Sequence, residues 1–387
     1  MVECLQERFM APFHLAAFVP AAGFSSRMKD FKPLLPLGDA TVLDQALRSL
    51  REGGVEDIRV VTGHRREELT GVLEKWGVRE VVNSRFREGM FSSVKAGLAS
   101  APPLRGAFFM LPVDLPAVRP QTLRDLALAR EASGAGIVYP VLGGARGHPP
   151  LIDGSYIPGI LRWEGGGGLK GFLDRHEDDA LDVETADAGV LTDLDTPEDY
   201  ERLLLRWPKR DIPTPRECEA LMTRVFQVRP GIFDHCRAVA RAALRMAEAL
   251  DARGASLDLD LVEAASLLHD VAKGRPRHAL EGARMLGERG YRAVARVVEV
   301  HADFDPPEEG PVDEREVVHL ADKLVEGERP VALEDRFGGK LQRYGHDPRA
   351  AAAIRARMER ALSMRRRMEA IWGRSLEEVL REPERRS

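Results

Sequence analysis

Cysteine is scarce: three in 387 residues, Cys4, Cys218 and Cys236, with no paired spacing. That excludes a disulfide framework or a zinc knuckle and fits a reducing cytoplasm. Long apolar runs are lacking; none approaches the roughly 20 residues that cross a bilayer, so no membrane role is expected. A large charge of one sign is lacking as well, the formal net charge being -5. A general nucleic-acid binder is thereby excluded, while local basic pockets for phosphate stay open. No basic leader precedes the apolar stretch 13–22. Glu3 and Glu7 stand there instead, and the stretch runs straight into a glycine loop. It reads as a first buried strand after a short N-terminal extension, 1–14, with Met10 as an alternative start, and not as a secretion signal.

What is present is the composition of folded soluble domains, 44% hydrophobic and 31% charged. A single core rarely grows to this length, so two domains are expected. From 15 to about 205, short apolar runs alternate with helical patterns. Strands are expected at 15–19, 58–61, 80–82, 108–111 and 137–141. Val42, Leu43, Ala46, Leu47 and Leu50 recur at helical spacing, and another helix covers 121–133. This is an α/β pattern, a Rossmann-like, mostly parallel sheet covered by helices. The character changes at Trp207, where Pro208, Pro213 and Pro215 mark a linker, 207–215. Beyond it, 216–387 reads as all-α. Helices are expected at 236–250, 260–272, 278–289, 291–301 and 350–372, with no strand.

The first chemical signal is Ala21-Ala22-Gly23-Phe24-Ser25-Ser26-Arg27, with Lys32 close behind. Small residues let backbone N–H groups approach a polyphosphate, and the loop is expected to lead to a positive helix end. Arg27 and Lys32 supply the neutralising charge. Alone, such a loop is equally well an ordinary strand-to-helix turn. Asp114 comes just after an apolar strand, where α/β sheets line their ligand crevice, and a carboxylate there suits Mg²⁺. It could also be a turn aspartate. Asp195 precedes Thr196-Pro197-Glu198-Asp199, a good helix start, so capping and metal binding are both open to it.

Together these residues resemble the molybdenum-cofactor nucleotidyltransferases, over roughly 15–205. The family's loop, Leu-Ala-Ala-Gly-x-Ser-x-Arg-Met and then Lys-x-Leu-Leu-Pro, stands here as Pro20 to Met28 and Lys32-Pro33-Leu34-Leu35-Pro36. Pro20 and Lys29 depart from it. Asn83-Ser84 and Gly89-Met90-Phe91-Ser92-Ser93-Val94 resemble the base- and ribose-side segment. Val113-Asp114-Leu115-Pro116 resembles the metal-binding turn, and Arg146-Gly147-His148-Pro149 the Gly-His-Pro loop of the cytidylyl branch. The resemblance implies transfer from CTP to a molybdopterin phosphate with loss of pyrophosphate. Asp114 and Asp195 would hold Mg²⁺, and Ala21, Ala22, Gly23, Ser25, Ser26, Arg27, Lys32, Asn83, Ser93 and Asp114 would hold the nucleotide. His148 is either a substrate contact or a space-filling loop residue. A molybdenum hydroxylase is a possible partner. The runner-up is another acceptor, a sugar phosphate or phosphonate; a third reading is a non-catalytic cofactor carrier.

The second signal is His269-Asp270, with Lys273 three later. His235, His269, His278 and His301 are four of the ten histidines, and Asp322 comes after them. Neutral imidazoles and carboxylates suit first-row transition metals. The apolar run before the doublet buries it, and a buried His-Asp needs a partner. The region, roughly 214–345, resembles the HD phosphohydrolases. That implies metal ligands His235, His269, Asp270 and Asp322, with His278 and His301 adding a second metal across a bridging Asp270. One or two ions of Mn, Fe, Ni or Co are expected. His278 or His301 could instead touch phosphate. Lys273 would contact the substrate phosphate, although Ala272 stands where the subgroup has Gly. His319 matches no family position and reads as structural.

Overall fold

A computed structural model describes residues 14–24, 27, 28, 30–102, 104, 106–306 and 310–381. Cys4, Met10, Ser25, Ser26 and Lys29 lie outside the described residues. The chain divides into two compact units, Met1–Pro208 and Lys209–Ser387. No helix among the described residues is long and apolar enough to cross a membrane.

The first unit is built on one eight-stranded sheet. Its strands are β1 (His14–Pro20), β2 (Asp57–Thr62), β3 (Arg79–Val82), β4 (Gly106–Met110), β5 (Ile137–Leu142), β6 (Ala145–Arg146), β7 (Leu151–Asp153) and β8 (Ala180–Glu184). The order is β8-β5-β7-β4-β1-β2-β3, with β6 paired to the side of β5. β1 runs parallel to both β2 and β4, β2 to β3, and β8 to β5, whereas β7 runs antiparallel between β4 and β5. Period-2 alternation sorts the core onto two faces. Ala17 and Val19 of β1 pack on one side with α1 (Val42–Glu52), α2 (Thr70–Trp76), α4 (Pro120–Ser133) and α7 (Pro197–Arg206). Ala16 and Phe18 pack on the other with α3 (Met90–Ala99), α5 (Ile157–Arg162) and α6 (Gly168–Leu173).

β1 is the place where the strand order reverses, since the chain goes from β1 to β2 on one side and returns to β4 on the other. Loops leaving the ends of β1 and β4 therefore part and open a crevice. Beyond Met110 the pairing persists for a few residues, Leu111 N–H donating to Phe18 O (3.1 Å) and Val113 N–H to Pro20 O (3.2 Å). Asp114 is thus held beside the end of β1.

The second unit is helical. α8 (Pro215–Ala220), α9 (Pro230–Asp251), α10 (Leu259–Leu268), α11 (His278–Glu288), α12 (Arg292–Val298), α13 (Glu314–Lys323), α14 (Leu333–Tyr344), α15 (Pro348–Trp372) and α16 (Leu376–Arg381) make up its frame. α9 lies against α10 and α13 and carries a continuous buried stripe, Phe233, Cys236, Val239, Ala243, Met246 and Leu250.

Several expectations are corrected. Among the described residues no helix follows Gly23 directly: the next described element is a 3-10 turn, Lys32–Leu34, and α1 starts at Val42. The helix expected at 260–272 stops at Leu268, so His269 and Asp270 sit in the turns beyond it. The helix expected at 291–301 stops at Val298. The helix expected at 236–250 opens earlier, at Pro230, and places His235 in its second turn. A two-stranded hairpin, Val325–Glu326 with Arg329–Pro330, interrupts the helices where no strand was expected. In the stretch 207–215, Trp207–Lys209 forms a 3-10 turn and Pro215 already opens α8 behind its Thr214 cap.

Candidate active site and candidate metal centre

In the first unit, the ends of β1 and β4 and the segment before α7 converge on a cleft of about 550 Å³. Ala21, Gly23, Arg27, Lys32, Asp114 and Asp195 line it, together with Gly89 and Met90. The Lys32 ammonium lies 3.4 Å from Asp114 Oδ2 and 3.4 Å from Asp195 Oδ1, and Arg27 is 3.0 Å from Asp195 Oδ2. Two cations and two carboxylates therefore neutralise one another at the mouth of the crevice.

Asp195 is free for this role because its neighbours do the capping. Thr196 caps α7, its hydroxyl accepting from Asp199 N–H (3.2 Å) while Asp199 Oδ2 accepts from Thr196 N–H (2.8 Å). The same carboxylate accepts from Asp195 N–H (3.2 Å), and Leu194 N–H donates to Asp114 O (2.9 Å). Both acids are thus tied to one backbone frame. Asp193, two residues before Asp195, is a site residue that the motifs do not single out. Its carboxyl is pushed above the usual range by burial and by the nearby Asp114 charge. The available signal is the alternation in Asp193-Leu194-Asp195: Leu194 is wholly buried, so the acids flanking it share the other side of the extended chain.

His148 is positioned through Gly147. A Cβ on Gly147 would stand 2.4 Å from Val190 O, so only glycine lets this loop close on the segment leading to Asp193. His148 N–H then donates to Val190 O (2.8 Å). His148 is exposed, and partial desolvation of its ring lowers its pKa against the opposing charges of Asp193 and Asp114. Asn83 and Ser93 are not on the cleft surface. Both are buried, and Asn83 donates to Ser92 Oγ (2.9 Å) and Ser93 Oγ (3.0 Å). They fix the turn that presents Gly89 and Met90 to the cleft. Ala22 is buried beside the loop, and Ser25 and Ser26 lie outside the described residues.

In the second unit, His235 from α9, His269 and Asp270 after α10, His278 at the start of α11 and His301 after α12 come together. Two sets of three ligand atoms each fit within 4.8 Å: His235, His269 and Asp270, then Asp270, His278 and His301. Asp270 is common to both. Asp322 on α13 joins the first set, its Oδ1 lying 3.3 Å from His235 Nε2 and 3.7 Å from His269 Nε2.

The imidazole tautomers are set by the backbone. His235 Nδ1 faces Gly327 O (2.8 Å), His269 Nδ1 faces Ser266 O (2.8 Å) and His301 Nδ1 faces Val298 O (2.7 Å). A carbonyl only accepts, so each Nδ1 carries the proton and each Nε2 lone pair points inward. Buried His269 Nε2 and Asp270 Oδ1 have no hydrogen-bond partner among the described residues. Buried polar atoms without partners are costly, and a divalent cation between them supplies what they lack. Burial keeps His278 and His301 below the ordinary histidine pKa, hence neutral as ligands must be. Against the pull of burial, His269, His301 and Lys273 hold the Asp270 carboxyl well below the usual carboxylate range. Lys273 Nζ is 2.8 Å from Asp270 Oδ2 with its side chain 47% exposed, so it can exchange that partner for a ligand at the lip. His319 stays outside the centre. It is buried, its Nδ1 meets His301 O (2.8 Å), and burial lowers its pKa to about 3.

Comparison with known proteins agrees with this division. The family model for the MobA-like NTP transferase domain matches residues 17–180, and that for the HD domain matches residues 232–327. A molybdenum cofactor cytidylyltransferase of Escherichia coli K12 is 25% identical over 183 residues, 47% of this chain and 91% of that protein. A nicotine blue oxidoreductase of Paenarthrobacter nicotinovorans is 29% identical over 192 residues, 48% of this chain and 93% of that protein. A bifunctional IPC transferase and DIPP synthase of Rubrobacter xylanophilus is 39% identical over 94 residues, 23% of this chain; the match spans only 22% of that relative. The chain thus carries a MobA-like NTP transferase domain at residues 17–180 and an HD domain at residues 232–327, and is an enzyme of the nucleotidyltransferase class.

Proposed function

We propose that the first domain transfers a cytidylyl group from CTP to the phosphate of molybdopterin and releases pyrophosphate. The observation that carries this reading is the convergence of Arg27, Lys32, Asp114 and Asp195 on one cleft at the strand-order reversal. An acceptor phosphate oxygen attacks the α-phosphorus, and the bond to the bridging oxygen of the departing pyrophosphate breaks. Arg27 and Lys32 leave their carboxylates and take up the pyrophosphate charge. Asp114 and Asp195 offer the hard oxygen ligands that Mg²⁺ prefers, and the ion would supply charge neutralisation. The acceptor is already an anion, so no general base is needed. His148, its loop closed on Val190 through Gly147, would contact the substrate.

The domain boundaries of this reading are 15–206 for the transferase and 216–387 for the HD part with its helical extension. In the HD part, His235, His269, Asp270 and Asp322 would hold one divalent ion and Asp270, His278 and His301 a second. Such ions activate water for phosphoester hydrolysis. Lys273 would bind the substrate phosphoryl group. The donor set, imidazoles with two carboxylates, suits Mn, Fe, Ni or Co.

The test is pyrophosphate release from CTP, Mg²⁺ and molybdopterin by the full chain, with GTP as comparison. Asp114→Ala is expected to abolish it; turnover that survives this change, or a preference for GTP, would overturn the assignment. The second reading, another phosphate-bearing acceptor, is favoured by the IPC transferase relative. Replacing molybdopterin with sugar and polyol phosphates decides between them. A phosphoester screen with His269→Ala as control tests the HD part.

A further inference from the structure

The HD family match ends at residue 327, yet the segment that follows returns to the metal centre. α13 ends at Lys323, directly after the candidate ligand Asp322, and the hairpin 325–330 leads the chain into α14. In the first turn of α14, Arg336 points back along this path with only 14% of its side chain exposed. Its NH1 donates to Asp322 O (2.7 Å) and to Val325 O, and its NH2 lies 3.7 Å from Asp322 Oδ1.

All three contacts bear on one ligand set. Asp322 O is among the last carbonyls of α13, which have no partner within their helix, and Arg336 supplies one. Val325 O belongs to the first strand of the hairpin, whose turn carries Gly327, and Gly327 O accepts from His235 Nδ1 (2.8 Å). Asp322 Oδ2 is taken by Lys323 Nζ (2.6 Å), so Oδ1 is the oxygen left for an ion, and it faces His235 Nε2 and His269 Nε2. Arg336 stands beyond hydrogen-bond distance from that oxygen, so it attracts the carboxylate without occupying it. A guanidinium carries five donors in a fixed fork, which is how one side chain holds two carbonyls and still faces a carboxylate. Among the described residues Arg336 has no hydrogen bond or ion pair with Asp270, His278 or His301.

We propose that Arg336 is a positioning residue for the first ion of the HD centre. It fixes Asp322 directly and His235 through the hairpin, so a residue of the helical extension, outside the family match, completes that ligand set. It touches neither the ion nor the substrate. The second position, formed by Asp270, His278 and His301, stands without it. This assignment rests on the HD centre being a metal site.

The experiment titrates the full metal-free chain with Mn²⁺ by calorimetry in two backgrounds. His278→Ala leaves the first position, and His235→Ala leaves the second. Each is compared with the same chain carrying Arg336→Met, so ions held by the first domain drop out of the difference. In the His278→Ala background, Arg336→Met should weaken Mn²⁺ binding by about 10- to 100-fold, the usual cost of losing a group that orients a metal ligand. In the His235→Ala background the affinity should stay unchanged. Arg336→Lys keeps the charge but reaches fewer of the three acceptors, and should fall between Arg and Met; it carries the same comparison if circular dichroism shows that Arg336→Met does not fold. Unchanged affinity in the His278→Ala background would overturn the proposal. So would equal losses in both backgrounds, which is what a merely structural cap on α13 would produce. Failure of the intact chain to take up Mn²⁺ in its second domain, seen as no difference from the Asp270→Asn chain, refutes the metal reading itself and removes the proposal with it.

Discussion

Asp270→Asn isolates the chemistry of the second domain in one atom. The change keeps the shape of a residue that is 1% exposed and removes its charge. Oδ1 of Asp270 lies 3.4 Å from His278 Nε2 and 3.6 Å from His301 Nε2; Oδ2 lies 3.5 Å from His269 Nε2 and 2.8 Å from Lys273 Nζ. An amide has one acceptor and one donor end. With the NH₂ at Oδ2 it faces the Lys273 ammonium, donor against donor; with the NH₂ at Oδ1 it faces the inward lone pair of His301 and takes the place of a metal. In either orientation at least one ligand set loses its oxygen. Removing one partner of a buried charged pair costs about 3–5 kcal/mol, which at about 1.4 kcal/mol per decade is a loss of about 100- to 4,000-fold in affinity. Metal content by mass spectrometry after exhaustive dialysis, with circular dichroism as a check of fold, should fall from two ions per chain to one or none. His278→Ala should empty only the second position and His235→Ala only the first. The reasoning is refuted if Asp270→Asn keeps two tightly bound ions, or if His278→Ala and His235→Ala have the same effect on both.

Thr196→Ala removes the cap of α7 and loosens the backbone that orients Asp195. Stability of the first unit should drop by about 1 kcal/mol in denaturant unfolding, and the Mg²⁺ requirement of transfer should rise; a change in neither would count against the cap as the device that frees Asp195. Glu316 is fully buried on α13, with Oε1 accepting from Arg367 (2.9 Å) and Oε2 lacking a hydrogen-bond partner among the described residues. Burial pushes its carboxyl up from 4.5 to about 7. The folded chain then holds this proton to higher pH than the unfolded chain, so its contribution is complete below about 4.5 and is lost as pH rises to about 7, with a slope of at most about 1.4 kcal/mol per pH unit. Urea unfolding across that window should show the decline, and Glu316→Gln should flatten it; an equally steep decline in the variant would refute the assignment to Glu316.

The two chemical centres differ in how far they can be read from residue order. Asp114 is legible because an apolar strand must end where its crevice opens, and the doublet His269-Asp270 because a buried imidazole beside a buried carboxylate demands a partner. The end of α10 is not legible. Val271 and Ala272 are as buried as the helix before them, so apolar periodicity continues past the point where the backbone turns. The hairpin at 325–330 has two residues per strand, too few for any period to register. No helix follows Gly23 directly among the described residues, because small residues report only that backbone can approach a ligand, not which element the chain enters next.

The quartet of Arg27, Lys32, Asp114 and Asp195 has a consequence for the order of events. Its four charges cancel pairwise, so the quartet by itself offers little net charge to a lone divalent ion, and Lys32 stands within reach of both acids that such an ion would need. On the proposed transferase reading, a nucleotide arriving with its magnesium would change the balance in one exchange: the phosphates would draw off the lysine and the arginine, and the acids so released would meet the metal. Under that scheme free Mg²⁺ has little hold on the domain, and the nucleotide itself unlatches the site that will consume it.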